Sequence, residues 1–244
     1  MTYKTLGIVL KKMPYGEKQN IVFVFTPEYG KIKIIVDKKK VRNRYRVEEL
    51  ELFSEYIFLL KKGRNFDKCI ESDVFCSYSK IIENYDQILC AEYFLETIYM
   101  VTPFFIPDKN IYNLLKKIFL ALSLGMGKEI IPTVLMNLIK ILGLKPSLKL
   151  CSKCGFNENF KGGYLSFNDG TFTCHECGKS NNSSFFISAK LLSFLNSLDN
   201  CKVSVLKNNY SNMIFLQAEL FLRKYLMFNL GISSEVKSAK LLIS

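Results

Sequence analysis

The hydrophobic period of the chain changes near residue 79, and the change divides it in two. Over roughly the first 75 residues apolar positions alternate with others, the two-residue period of a half-buried strand. Leu6, Ile8 and Leu10 alternate until Pro14-Tyr15-Gly16 breaks the pattern. Ile21, Phe23 and Phe25 follow, closed by the turn signal Pro27-Glu28-Tyr29-Gly30. Ile32, Ile34 and Val36 give a third strand, Leu50, Leu52, Tyr56, Phe58 and Leu60 a long fourth, and Phe66–Phe75 a fifth. Five short antiparallel strands in so little chain predict a small barrel, with the OB-fold as the leading form.

Beyond Ser79 the spacing becomes helical. Ile82, Tyr85, Ile88, Leu89, Leu95, Ile98 and Tyr99 lie on one such pattern, ended by Pro103 and Pro107. A second helix is expected over 110–124, stopped by Gly125 and Gly127. A third is expected over 131–142, with Pro132 in its first turn and Gly143 at its end. Ser188–Leu198 and Ser211–Leu230 read as two more. The predicted architecture is therefore α+β and multidomain. An OB-fold barrel covers 1–78, and an all-α domain covers 79–150 and 179–244. A cysteine-bearing module over 151–178 is embedded in that domain.

A mean hydropathy of +0.11 raises the question of a membrane. A spanning helix needs about 18 largely uncharged residues, whereas an uncharged stretch such as Thr97–Pro107 reaches only eleven. Leu6–Leu10 is too short for a signal-peptide core. A soluble, cytoplasmic protein is expected. Its net charge of +12 is unevenly placed. Residues 1–80 hold seventeen Lys/Arg against ten Asp/Glu, residues 81–145 six against six, and residues 146–244 eleven against six. Basic ends around a neutral middle suit a polyanion, although a lysine-rich proteome would also raise the charge.

Four of the eight cysteines carry the clearest chemistry. Cys151-x-x-Cys154 and Cys174-x-x-Cys177 are separated by nineteen residues, within the spacing of paired zinc knuckles. Each pair bends tightly enough for two thiolates to reach one tetrahedral ion. Gly155 and Gly178 follow the second cysteines, where positive φ is often required. Tyr164–Phe167 and Thr171–Thr173 flank the hairpin signal Asn168-Asp169-Gly170, completing a four-cysteine zinc ribbon. Four thiolates leave no open position for water, so one structural Zn2+ per chain is expected, with no catalytic residue and no enzymatic activity. The lone histidine, His175, lies inside the second knuckle. It could replace a cysteine ligand, but a His-x-Glu deaminase signature needs a glutamate two residues on, where Cys177 stands. Cys69, Cys76, Cys90 and Cys201 show no pairing pattern.

Lys31, Lys33, Lys38, Lys39, Lys40, Arg42, Arg44 and Arg46 place eight positive charges in sixteen residues, opposed only by Asp37. They fall on the third strand and the loop after it, where an OB-fold commonly meets a single strand. Tyr29 and Tyr45 stand nearby for base stacking. The competing reading is a solvated loop. Arg223 and Lys224, with Lys237 and Lys240 beyond, form a thinner second patch that a solvated helix face would explain equally.

Several ordered segments now resemble one family. Gly7-Ile8-Val9-Leu10, Tyr15-Gly16-Glu17 and Thr26-Pro27-Glu28-Tyr29-Gly30-Lys31 are similar to the N-terminus of the RecO family. Leu142-Gly143-Leu144-Lys145-Pro146 before Cys151-x-x-Cys154-Gly155 resembles the approach to its zinc module. Leu222-Arg223-Lys224-Tyr225-Leu226 with Leu230-Gly231 resembles its C-terminal region. The family's glycine- and serine-containing loop after strand three is here the short run Asp37–Arg42. The resemblance implies an OB-fold, a helical domain and an embedded zinc module. It also implies a non-enzymatic DNA-repair mediator associated with the nucleoid, which binds single-stranded DNA and anneals strands. The implied partners are RecR, the acidic tail of the single-stranded DNA-binding protein, and the RecA pathway.

The rival reading is an RNA-binding or transcription-associated zinc-ribbon protein. A metal-dependent nuclease would need clustered carboxylates for divalent ions, and no DxD or HxxxH arrangement is present; nucleotide hydrolysis would need a GxxxxGK[ST] loop, which the sequence lacks.

Overall fold

The computed structural model describes residues 1–37, 50–155, 161–178, 184–199 and 201–242. They form two compact units, Met1–Lys128 with Glu235–Ser244, and Glu129–Ser234.

The first unit is built on five strands: β1 (Thr2–Tyr15), β2 (Gln19–Thr26), β3 (Gly30–Asp37), β4 (Ser54–Lys61) and β5 (Asp67–Ser77). Their order is β1-β2-β3-β5-β4, and β1 also pairs with β4, so the sheet closes on itself. This is the expected OB-like form. The β3–β5 seam is parallel and only two residue pairs long, Ile34 with Asp67 and Ile35 with Lys68. Val9, Val22, Val24, Ile32, Ile34, Val36, Tyr56, Phe58 and Leu60 fill the interior.

Two differences from the sequence pattern have one cause. Val22 and Val24 point inward, so Ile21, Phe23 and Phe25 lie on the outer face of β2. A strand apolar on both sides signals that something covers its outside. Helix α1 (Tyr85–Val101) and the segment after it supply that cover. The Tyr99 ring meets Phe23 edge-on at 5.1 Å, and Phe104 bridges to Lys31 of β3. Helix α2 (Lys109–Ser123) also packs on the barrel, where Phe119 lies 5.9 Å from Phe53 and 5.4 Å from Tyr78. Both helices therefore belong with the barrel, across the sequence boundary at residue 78. Side-chain caps start them: Asn84 accepts from the backbone N–H of Asp86 and Gln87, and Asp108 from Asn110 and Ile111. Glu96 of α1 accepts from the backbone N–H groups of Lys237 and Ser238, which docks the C-terminal 3-10 turn.

The second unit contains α3 (Ile131–Ile141), a three-stranded sheet, α4 (Ala189–Ser197), α5 (Val203–Asn209) and α6 (Asn212–Asn229). The sheet runs β7 (Phe172–Cys174), β6 (Gly162–Ser166), β8 (Ser184–Ser188). Phe167, just past β6, anchors it to α6, with ring centroids 6.0 Å from Phe221, 5.4 Å from Tyr225 and 5.5 Å from Phe228. The Tyr225 hydroxyl donates to Leu144 O at 2.9 Å, holding the chain that enters the cysteine module. The sequence pattern signals neither strand β8 nor helix α5, each being too short to show a period. No helix among the described residues is long and apolar enough to cross a membrane.

Candidate metal centre and nucleic-acid interface

The two Cys-x-x-Cys turns come together as their spacing implies. The sulfur atoms of Cys151, Cys154, Cys174 and Cys177 all lie within 4.8 Å of one another. Thiolates at about 2.3 Å from a shared tetrahedral ion lie about 3.8 Å apart, so the cluster matches a metal cage. Each knuckle closes on itself: Gly155 N–H donates to Cys151 O at 2.9 Å, and Gly178 N–H to Cys174 O at 2.7 Å. The hairpin from β6 to β7 brings Cys174 to Cys151, whose sulfur accepts from Cys174 N–H at 3.3 Å. Burial raises the Cys151 thiol, but backbone donors from Cys154, Cys174 and Lys153 outweigh it and hold it at about 6. Bonds to Cys174 and Cys154 push Cys177 up to about 12. Four thiols contending for protons in one small space is the situation a divalent ion resolves. The all-sulfur donor set favours a soft or borderline metal.

Gly155 has the positive φ expected of it, +70°. Gly178 is there for a different reason, a correction to the sequence reading. A Cβ at that position would lie 2.7 Å from Tyr164 Cδ2 and 2.8 Å from Thr173 Oγ1. His175 is exposed, and its backbone N–H bonds Gly162 O; its side chain is outside the sulfur cluster.

The basic residues separate into distinct groups. Lys38, Lys39, Lys40, Arg42, Arg44 and Arg46 lie outside the described residues. Lys31 is a second correction: it is 5% exposed. Its ammonium donates to Tyr99 O at 2.5 Å and lies 4.6 Å from the Tyr99 ring and 4.5 Å from the Phe104 ring. Covered by α1, it cannot also reach a phosphate. Arg223 is the third: its Nε bonds Glu219 one turn earlier at 2.6 Å, and both side chains are largely withdrawn from solvent. Lys224 remains exposed.

Lys33 is only half-buried and belongs to a row the sequence did not disclose. Strand register aligns Lys11, Phe23 and Lys33 across β1, β2 and β3 on the outer face. The Lys33 ammonium lies 4.6 Å from the Phe104 ring, and that of Lys11 5.1 Å from Tyr99. No ion pair to a described carboxylate involves Lys11, Lys31 or Lys33. The next row on that face is Met13, Ile21 and Ile35, and the last Tyr15, Gln19 and Asp37. Met13 and Tyr15 are well exposed, at 42% and 48%. The open half of this face thus offers two ammonium groups, an apolar strip and an aromatic ring, in that order. The register carrying it depends on the bulge between Val9 and Lys11, which the alternation of Leu6, Ile8 and Leu10 could not locate.

Comparison with known families decides the affiliation. The model described as recombination protein O N-terminal matches residues 1–78, and that described as recombination protein O C-terminal matches residues 82–238. The chain belongs to the RecO family. Similar proteins include the DNA repair protein RecO of Thermodesulfovibrio yellowstonii, 27% identical over 243 residues that span 95% of this chain and 94% of that protein. The DNA repair protein RecO of Alkaliphilus metalliredigens is 28% identical over 217 residues, covering 86% and 87% of the two chains. That of Caldanaerobacter subterraneus is 25% identical over 244 residues, covering 99% and 98%. The boundary between the two RecO models falls between β5 and α1. The first compact unit crosses it, because α1 and α2 cover the barrel.

Proposed function

We propose that the chain is a non-enzymatic mediator of DNA repair that binds single-stranded DNA and promotes the pairing of complementary strands. The observation that carries this reading is the Lys11–Phe23–Lys33 row, beside the Met13–Ile21–Ile35 strip, on the outer face of an OB-like barrel. This is the strand face by which such barrels take up oligonucleotides. Ammonium groups without described carboxylate partners attract phosphate, and the apolar strip accepts the flat faces of unpaired bases. The run Lys38–Arg46 follows β3 directly in sequence and adds to the same basic segment.

In this reading Cys151, Cys154, Cys174 and Cys177 hold one structural zinc ion. The ion would lock the β6–β7 hairpin and leave no position for substrate. The mechanism is binding. Neutralising two phosphate backbones on one basic surface lowers their repulsion and raises their local concentration; base pairing then supplies the free energy. In the cell the protein would work in the cytoplasm on the nucleoid. RecR, the acidic tail of the single-stranded DNA-binding protein and the RecA pathway are the partners that family membership supports.

Competition binding tests the reading against an RNA-binding or transcription-associated role. Unlabelled single-stranded DNA should displace a labelled single-stranded oligonucleotide, and duplex RNA of equal length should do so far less well. Equal or better displacement by duplex RNA would overturn it.

A further inference from the structure

We infer that Tyr15 is a stacking platform for one unpaired base, propped by Phe66, at the open end of the β1–β2–β3 face. The inference rests on the single-strand reading above and names the group that would tell an unpaired strand from a duplex. Tyr15 ends β1 beside the β1–β2 turn, and Phe66 lies on the β4–β5 loop. These are the two loops that border the oligonucleotide surface in OB-like barrels. Their ring centroids are 5.9 Å apart with a 53° tilt. A base sandwiched between two rings would need them parallel and about 7 Å apart, twice the axial rise per nucleotide. The pair is too close and too tilted for that. Phe66 is half-buried while Tyr15 is 48% exposed, so Tyr15 presents the free ring face and Phe66 positions it.

The support beneath Phe66 is fixed in advance. Asp67, next in the chain, is buried; it accepts from Gly63 N–H at 3.0 Å and from the Tyr3 hydroxyl. Both ends of the β4–β5 loop are thereby tied to β1. Exposed Lys18 and Arg64 lie on the two loops, with Glu17 beside Lys18, and can meet the phosphates flanking a stacked base. Asp37, in the same strand row as Tyr15, is bonded by Gln19 at 2.8 Å and paired with Lys68 at 3.7 Å, which offsets its repulsion of a phosphate.

Stacking on Tyr15 requires a base whose face is free. In a duplex both faces are already stacked, so the platform favours the unpaired reactants over the paired product, and annealing itself would release the product. Such a contact is also insensitive to salt, unlike the lysine contacts.

The test uses the full-length protein and a single-stranded oligonucleotide carrying 2-aminopurine. The wild type should quench the fluorophore. Tyr15→Ala should abolish quenching and weaken single-strand affinity about ten-fold, in line with loss of one base stack. Duplex affinity and the salt slope should not change. Tyr15→Phe should restore quenching, and Phe66→Ala should reduce it in part. Undiminished quenching and affinity in Tyr15→Ala, with Lys11→Ala/Lys33→Ala still flattening the salt slope, would overturn the platform and leave the single-strand reading standing. Failure of the wild type to bind single strands would overturn both.

Discussion

Tyr112 of α2 donates its hydroxyl hydrogen to Glu55 Oε1 of β4 at 2.6 Å, and Glu55 is completely buried. Lys116, one turn on, pairs with the other carboxylate oxygen at 3.2 Å. Burial first, and then the bond to Glu55, pushes the Tyr112 hydroxyl far above its usual range, so it remains a donor at any practical pH. The pair joins a helix to a barrel strand 57 residues away. Tyr112→Phe removes one donor from a buried carboxylate and should lower the stability of the barrel unit by about 1–3 kcal/mol. Urea denaturation followed by a probe in the barrel measures it; an unchanged midpoint would show that the bond contributes nothing.

This bond also marks where sequence reading stops. Five strands, the principal helices and the four clustered cysteines were legible because they repeat at a fixed period or spacing. Which face of β2 points inward was not, since Val22 and Val24 alternate with Phe23 and Phe25 and both sets are apolar. A one-residue change of phase exchanges the two faces, and only the cover supplied by Tyr99 and Phe104 explains why the outer set is also apolar. The same cover withdrew Lys31 from solvent, although its neighbours in sequence suggested a solvated cation. Tyr15 and Phe66 lie 51 residues apart in the chain, and no local pattern links them.

The buried Lys31 ammonium gives a pH signature. Burial, and then repulsion by Lys33, lowers it to about 8. In an unfolded chain the group titrates near 10.4. Between these values the unfolded state binds the extra proton, so folding stability gains with rising pH. The stability of wild type relative to Lys31→Met should therefore be flat below about pH 8 and increase from there toward pH 10. A difference that does not vary with pH over that window would contradict the burial of a charged Lys31.

Metal content tests the cysteine cluster. Protein purified without chelators should contain one zinc per chain, and Cys174→Ser should lose it. Loss of the ion should loosen residues 129–234 in hydrogen exchange while the barrel amides stay protected, because the cysteines and their hairpin belong to the second unit. Gly178→Ala should weaken metal retention by pressing a methyl group on Tyr164 and Thr173. Absence of zinc from the wild type would refute the assignment.

The salt dependence of single-strand affinity tests the lysine row. Removing one lysine–phosphate interaction should flatten the log–log slope by about 0.7. Lys11→Ala/Lys33→Ala should therefore flatten it by about 1.4 and weaken binding to all sequences alike. Replacing Lys38, Lys39, Lys40 and Arg42 with Ala should flatten it further. Lys31→Met should leave the slope unchanged, since that ammonium is already bonded to Tyr99 O. A slope insensitive to Lys11 and Lys33 would place the phosphate contacts elsewhere.

Strand pairing most directly tests the central claim, that the chain acts by binding alone. Two complementary oligonucleotides bearing a fluorescent donor and acceptor are mixed in magnesium-free buffer, with and without protein and ATP. Pairing should accelerate with protein and be indifferent to ATP, and high salt should suppress the acceleration. Strict dependence on ATP, or strand cleavage in place of pairing, would contradict it.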